Sequence, residues 1–288
     1  METAATERDN SYVLGYQGFV YTSTRISSGP TTRYPGVLLL SADYRPFVVT
    51  SNSGSHSGEA LSANAAVVAP LVARSLEASG IPLLSFNVMP SHEAYHVFRA
   101  MQRPGMLALD RHVFEPLDEG FALLGRGAAR LSDAAAIFEH AVRLAVPQMP
   151  PASSPDGTSL QILRMLEANP EMSLEELARA CGRSQAAMSR LFSAAVGMSL
   201  RDYHGWLKQR RVYGLLCSQR SLTDVAQTAG FVDSPHFSRT FQRWYGQSPS
   251  FSRDPKFVRV IGLDRPHAAR HLSQTEPEVL IPEATGKR

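Results

Sequence analysis

Cysteine is nearly absent: the 288-residue chain has 2, Cys181 and Cys217. Two cysteines without paired spacing supply neither a zinc cluster nor a disulfide framework. Both fall at apolar-looking helix positions and read as small core residues. The first half contains none, which sets aside cysteine methyl-acceptor chemistry there. No apolar run reaches the roughly 18 residues that a membrane-crossing helix needs. The opening METAATERDN is polar and leads into no apolar segment, so no secretory signal and no membrane contact are expected, and a cytoplasmic protein is.

What remains is ordinary for a globular chain, 43% hydrophobic and 19% charged, with length enough for two domains. The net charge of +3 hides an asymmetry. Residues 1–157 carry 11 Lys/Arg and 14 Asp/Glu, residues 158–262 carry 14 and 8, and residues 263–288 carry 4 and 4. A basic second half is what a partner rich in phosphate would require, although basic domains are common.

To about residue 90 the chain is broken by Gly, Pro, Ser and Asn into short apolar runs: Gly36 to Leu40, Phe47 to Thr50, Ala65 to Ala69 and Leu83 to Val88. Such runs read as strands of a sandwich or small barrel. Gly54 to Gly58 and Gly80-Ile81-Pro82 read as turns. Helical patterns follow at 91–102 and 132–146. In the second, Ala135, Phe138, Val142 and Ala145 make a stripe that suits either a dimer helix or packing on its own domain. PQMPPASSPDG, 147–157, can continue neither helix nor strand and reads as a linker. Residues 264–288 read as a frayed tail.

The strongest signal is a repeat. SLEELARACGRSQAAMSRLFSAAVGMS from Ser173 returns as SLTDVAQTAGFVDSPHFSRTFQRWYGQSP from Ser221. Leu177, Ala178 and Gly182 recur as Val225, Ala226 and Gly230, an offset of 48. Ser189, Arg190, Phe192, Gly197 and Ser199 recur as Ser238, Arg239, Phe241, Gly246 and Ser248, an offset of 49, so the second copy holds one extra residue just after its turn glycine. Start signals precede each helix. Thr158 with Gln161, Ser173 with Glu176, Ser199 with Asp202 and Ser221 with Asp224 are capping boxes or near variants, and Ser234-Pro235 reads as a cap followed by proline. Each copy is therefore expected to be a helix-turn-helix unit. Met188, Leu191, Phe192 and Ala195 face inward in the first, and Phe237, Phe241 and Trp244 in the second. Gln185, Ala186, Ser189, Arg190 and Ser193 face outward in the first, and His236, Arg239 and Arg243 in the second. Such faces can reach base edges or phosphates, or be merely solvated. Residues 200–216 read as one strut helix that fixes the separation of the two units. Major grooves on one face of DNA recur every roughly 34 Å, so one chain could fill two in succession. Lys208, Arg210 and Arg211 on the strut are candidates for phosphate contact.

These residues resemble the AraC/XylS family of bacterial transcription regulators. The resemblance rests on Gly230-Phe231, Phe237-Ser238-Arg239, Phe241, Gly246 and Ser248-Pro249 in the second copy. In the first it rests on Leu177-Ala178, Ser184, Met188, Arg190-Leu191-Phe192 and Gly197. It covers about 100 residues and implies a seven-helix DNA-binding domain. By motif position, Ala186, Ser189 and Arg190, then Ser234, Pro235, His236 and Arg239, fall where the family meets DNA. Ala186 and Pro235 can offer only apolar contact. Arg190 and Arg239 can also serve as internal ion pairs. More weakly, Asn64 to Pro90 resembles the family's cupin-type domain. A metal cupin needs paired histidines, but His56 stands alone, no His-x-His occurs, and Arg74 stands where relatives often carry histidine.

His92-Glu93-Ala94-Tyr95-His96 satisfies the HExxH pattern of zinc hydrolases. Pro90-Ser91 reads as the helix start, which puts His92 in the first turn, and no third ligand is evident beyond Glu115 or Glu119. The resulting expectation is an α+β two-domain protein. A cupin-like β-barrel with helices, for sensing or dimerisation, spans 1–146. A linker spans 147–157, an all-α domain with two helix-turn-helix units 158–262, and a tail 263–288. It would be a regulator and not an enzyme, needing no cofactor or metal. It would bind double-stranded promoter DNA, activate through RNA polymerase, answer a small-molecule effector, and pair as a homodimer. The alternatives are a ligand-independent repressor and a zinc hydrolase.

Overall fold

The computed structural model describes residues 8–15, 17–152, 156–216 and 218–262. The expected tail, Cys217 and the first seven residues lie outside them. The first part of the chain is built on one nine-stranded mixed sheet, and the second is helical.

The strands are β1 (Asp9–Val13), β2 (Gly18–Thr31), β3 (Gly36–Ser41), β4 (Phe47–Ser51), β5 (Ala60–Ala63), β6 (Ala65–Val68), β7 (Arg74–Val88), β8 (Met106–Ala108) and β9 (Val258–Ile261). They pair in the order β8-β6-β3-β7-β2-β1-β9, with β4 on β7 and β5 on β4. Strand β3, GVLLLS, is buried at every position because both its faces are covered. Leu38 and Leu40 enter one apolar cluster, and Val37 and Leu39 the other. That explains a continuous apolar run where a half-exposed strand would alternate.

Gly80-Ile81-Pro82 is not the expected turn. It lies inside the 15-residue strand β7. Opposite β2 the register passes from Ser23↔Leu83 to Arg25↔Ser79, so β7 gains extra residues there. Gly80 takes φ +74° at this bulge, a conformation cheap only for glycine, and Pro82 needs no ladder donor. The bend lets one strand serve two neighbours, β4 with Arg74–Glu77 and β3 with Leu83–Val88.

Helices α1 (Tyr95–Arg99), α2 (Asp118–Arg126) and α3 (Leu131–Ala145) cover the first cluster's face. Helix α3 buries Ala134, Phe138, Ala141, Val142 and Ala145. Phe138 meets Phe86 at 6.3 Å between ring centres and crowds Gly18. The stripe therefore packs on its own sheet. Helices α4 (Gly157–Ala168), α5 (Leu174–Ala180), α6 (Gln185–Val196), α7 (Leu200–Leu216), α8 (Leu222–Thr228), α9 (Ser234–Tyr245) and α10 (Pro249–Arg253) follow. The expected Thr158–Gln161 box is replaced by Asp156, whose carboxylate accepts from Ser159 N–H at 2.7 Å. An Asp two residues earlier is the better acceptor and also suits the helix dipole.

The sequence reading places 158–262 in the helical domain, but β9 leaves it. This strand runs parallel to β1, Asp9 opposite Val258 and Tyr12 opposite Ile261, so the helical part is tied to the sheet at both its ends. Truncating Phe138 to Ala should cost about 3–5 kcal/mol in urea unfolding. If α3 were instead an oligomer face, the variant would change the sedimentation coefficient and leave monomer stability intact.

Candidate nucleic-acid interface

The two repeats fold as matched helix pairs. In the first, α5 leads through Gly182, φ +60°, into α6; in the second, α8 leads through Gly230, φ +82°, into α9. A side chain at either glycine would strain the turn. Both opening boxes form. Glu176 N–H donates to Ser173 Oγ at 3.2 Å, and Asp224 N–H to Ser221 Oγ at 3.1 Å, with each carboxylate accepting from the serine N–H in return. Ser199 Oγ accepts from Asp202 N–H at 3.1 Å at the start of α7.

The extra residue of the second copy lies in its turn. Helix α6 is capped by Ser184, two residues after Gly182. Helix α9 is capped by Asp233, three after Gly230, whose carboxylate accepts from His236 N–H at 2.6 Å. The cap is thus Asp233 and not Ser234, which is already helical. The insertion exposes Val232 to 86% and tucks Phe231 under α9, 5.2 Å from Phe237.

Every position expected to face inward is buried or half-buried: Met188, Leu191, Phe192 and Ala195 on α6, and Phe237, Phe241 and Trp244 on α9. Gln185, Ala186, Ser189, Arg190 and Ser193 are exposed along α6, and Pro235, His236, Arg239 and Arg243 along α9, with Ser234 half-buried at its start. The structure thus gathers the candidate residues on two outward faces. Neither Arg190 nor Arg239 makes an ion pair among the described residues. The strut cations are engaged more than the sequence suggests. Arg211 pairs with Glu171, Arg210 lies over Trp206 at 5.9 Å, and Lys208 over Phe231 at 5.8 Å. Arg183 is exposed at the start of α6's turn and was not singled out from sequence. Only its place beside the turn glycine could have pointed to it.

The carbonyl ends of α6 and α9 are held by the first domain, which the sequence did not foretell. Arg99 of α1 donates from Nη1 to Ala195 O at 3.1 Å and from Nη2 to Ala194 O. Thr32 N–H donates to Arg243 O at 2.9 Å. Gly197 and Gly246, which end α6 and α9, leave no room for a side chain against Arg99 and Ser28 respectively.

The HExxH segment does not form a metal-binding helix face. Helix α1 begins at Tyr95, so His92 precedes it. His92 is 5% exposed, accepts from Ala94 N–H through Nδ1 at 3.0 Å, and faces Glu139 through Nε2 at 3.3 Å. The acceptor role of Nδ1 puts the proton on Nε2. His96 Nδ1 bonds its own neighbour's Glu93 carbonyl at 2.6 Å. Among the described residues no group of three or more His, Cys, Asp and Glu could hold a metal ion, and no helix is long and apolar enough to cross a membrane. Cys181 is half-buried beside Met165, Sγ to Sδ 4.0 Å.

The capping carboxyls are shifted. Glu176 is held below its ordinary value by the Ser173 N–H and hydroxyl, and Asp224 by the Ser221 hydroxyl and N–H. A depressed carboxyl stabilises the fold fully above its unfolded pKa, and that stabilisation is lost as pH falls through the lowered folded value. Acid titration by circular dichroism should therefore show helix loss below about pH 4. The pair Glu176→Gln and Asp224→Asn should make that loss shallower; an unaltered curve would mean the boxes contribute nothing to it.

Comparisons with known proteins agree with this geometry. A family described as a helix-turn-helix domain matches residues 177–254, and one described as winged helix-turn-helix DNA-binding matches 155–194. The transcriptional activator NphR of Rhodococcus sp is 35% identical over 100 residues, 32% of this chain and 29% of its own length. The HTH-type transcriptional regulator GbdR of Pseudomonas aeruginosa is 30% identical over 174 residues, 54% of this chain and 47% of its own. The chain thus spans between about a third and a half of these curated relatives. A structure of apo ToxT from Vibrio cholerae aligns at TM-score 0.50 and 10% identity over 81% of this chain and 96% of that one, a likeness of two-domain fold. Residues 177–254 thus match a helix-turn-helix domain family, and over that part the chain is similar to known transcription regulators.

Proposed function

We propose that the chain is a transcription regulator that binds promoter DNA through α6 and α9. The observation that carries this is the pair of matched second helices. Both are capped, both are held at the carbonyl end, and both present polar or cationic side chains without acidic partners among the described residues. The strut α7 between them would set the two faces into successive major grooves. Gln185, Ser189, Arg190, His236 and Arg239 have the donors to read base edges, Ala186 and Pro235 can touch a thymine methyl, and Ser234 and Arg243 suit phosphates.

The first domain would sense a small-molecule effector and pair chains as a homodimer, and the bound regulator would recruit RNA polymerase. NphR is a transcriptional activator, and activation is extended to this chain on that likeness. No chemical step is required of any residue, so the reading is of a binding protein and not an enzyme.

Footprinting on DNA upstream of the chain's own and neighbouring genes should protect two successive major grooves. General, salt-sensitive coverage without a protected site would overturn the reading. On that site Arg239→Ala should weaken specific binding by roughly 1–3 kcal/mol while leaving nonspecific binding nearly intact. An equal loss on all sequences would make Arg239 a phosphate contact. Arg243→Ala should lower the slope of log affinity against log salt by about one charge; an unchanged slope would remove it from the interface.

A further inference from the structure

The two helix-turn-helix units differ at one position whose backbone setting they share. In each, the residue after the turn glycine is fixed by a hydrogen bond to the preceding helix. Arg183 N–H donates to Ala178 O at 2.9 Å, and Phe231 N–H to Ala226 O at 2.9 Å. The side chains then go opposite ways. Phe231 is 7% exposed and packs under α9, 5.2 Å from Phe237 and edge-on to Trp244 at 6.1 Å. Arg183 is exposed. The first unit closes its core by other means: α4 packs on α6 and brings Ile162 and Leu166 into the cluster that holds Met188 and Phe192.

The Arg183 side chain therefore fills no core space, and it has no tie to the rest of the fold either. It makes no ion pair, side-chain hydrogen bond or cation–π contact among the described residues. The acids of α5 are already engaged. Glu175 pairs with Arg179 at 2.7 Å, and Glu176 accepts from the Ser173 N–H at 2.7 Å. Position then fixes what the cation can reach. Arg183 is the one residue between Gly182 and the Ser184 cap, so it stands just ahead of α6 beside exposed Gln185 and Ala186. Where the first turn of a recognition helix meets base edges in a major groove, the residue ahead of it stands at the groove's rim, along which the phosphates run. The residue ahead of the Asp233 cap in the second unit is Val232, 86% exposed and uncharged.

We propose that Arg183 grips a DNA phosphate at the rim of the groove that α6 enters, a contact that the second unit lacks. This rests on the DNA-binding reading above and deepens it by a residue and an asymmetry. A guanidinium offers two parallel N–H donors to the oxygens of one phosphate. Such a contact carries no base information; it fixes register and orientation. Gripped by a cation at one half-site and faced by an apolar residue at the other, the complex has a direction along the DNA that does not depend on base readout.

The test uses the purified full chain, the duplex that wild type protects in footprinting, and an unrelated duplex of the same length. Arg183→Ala should lower the slope of log affinity against log salt by about one on both duplexes, a loss of roughly five- to tenfold at 0.1 M salt. Arg183→Lys should keep the wild-type slope. Phosphate-ethylation interference with wild type should mark a rim phosphate at one half-site without a match at the other, and Arg183→Ala should lose that mark. Arg45→Ala controls for the removal of one charge, because Arg45 is exposed in the first domain and held by Asp43; its slope should equal that of wild type. The melting temperature of Arg183→Ala should equal that of wild type, because the fold makes no use of this side chain. A lower melting temperature would make Arg183 structural and overturn the inference, as would an equal fall in slope for Arg45→Ala. A protected site with an unchanged slope for Arg183→Ala sinks this contact alone. A wild type that protects no site sinks the DNA reading and this contact with it.

Discussion

The arrangement depends on one constraint, the seating of the carbonyl ends of α6 and α9 on the first domain. Arg99 satisfies two terminal carbonyls of α6, and the Thr32 N–H satisfies one of α9. Helix ends leave such acceptors unpaired, and a cation is favoured beside them. Because these are the last turns, the amino ends and outward faces of both helices stay clear. Docking at one end and exposure at the other follow from the same chain polarity, repeated in both units. Apolar packing then supports the seat. Tyr34 meets Trp244 edge-on at 6.0 Å, and Phe19 packs against Tyr213 and Tyr245.

That seat also sets how α9 faces the solvent. Helix α9 presents Arg239 and Arg243 outward, while Phe237, Phe241 and Trp244 are buried behind. The β9 strand strengthens the seat, for it follows α10 and pairs with β1.

The helical half was largely legible in the sequence because its signals are local. A capping box, a turn glycine and a 3- or 4-residue apolar spacing act within a dozen residues. Ser173–Glu176, Gly182, α7 at 200–216 and the inward set Met188, Phe192, Phe237, Phe241 and Trp244 fell where such signals put them. Two caps were misplaced, Thr158 for Asp156 and Ser234 for Asp233, because neighbouring polar residues compete for one amide and only geometry selects the winner. The sheet was legible as runs and not as pairings. Gly80-Ile81-Pro82 has the composition of a turn, yet long-range pairing with β2 and β4 carries the strand through it.

The sequence by itself therefore determined the two helix-turn-helix units, their order, their strut and their outward residues, since each rests on short-range hydrogen bonds and side-chain periodicity. Only the tertiary structure decided what those units lean on. Arg99 against Ala194 and Ala195, β9 beside β1, and Arg33 beside Asn87 are meetings of residues far apart in the chain. No local pattern encodes them, because they are fixed by which apolar faces can be buried together and by which charges that burial then strands.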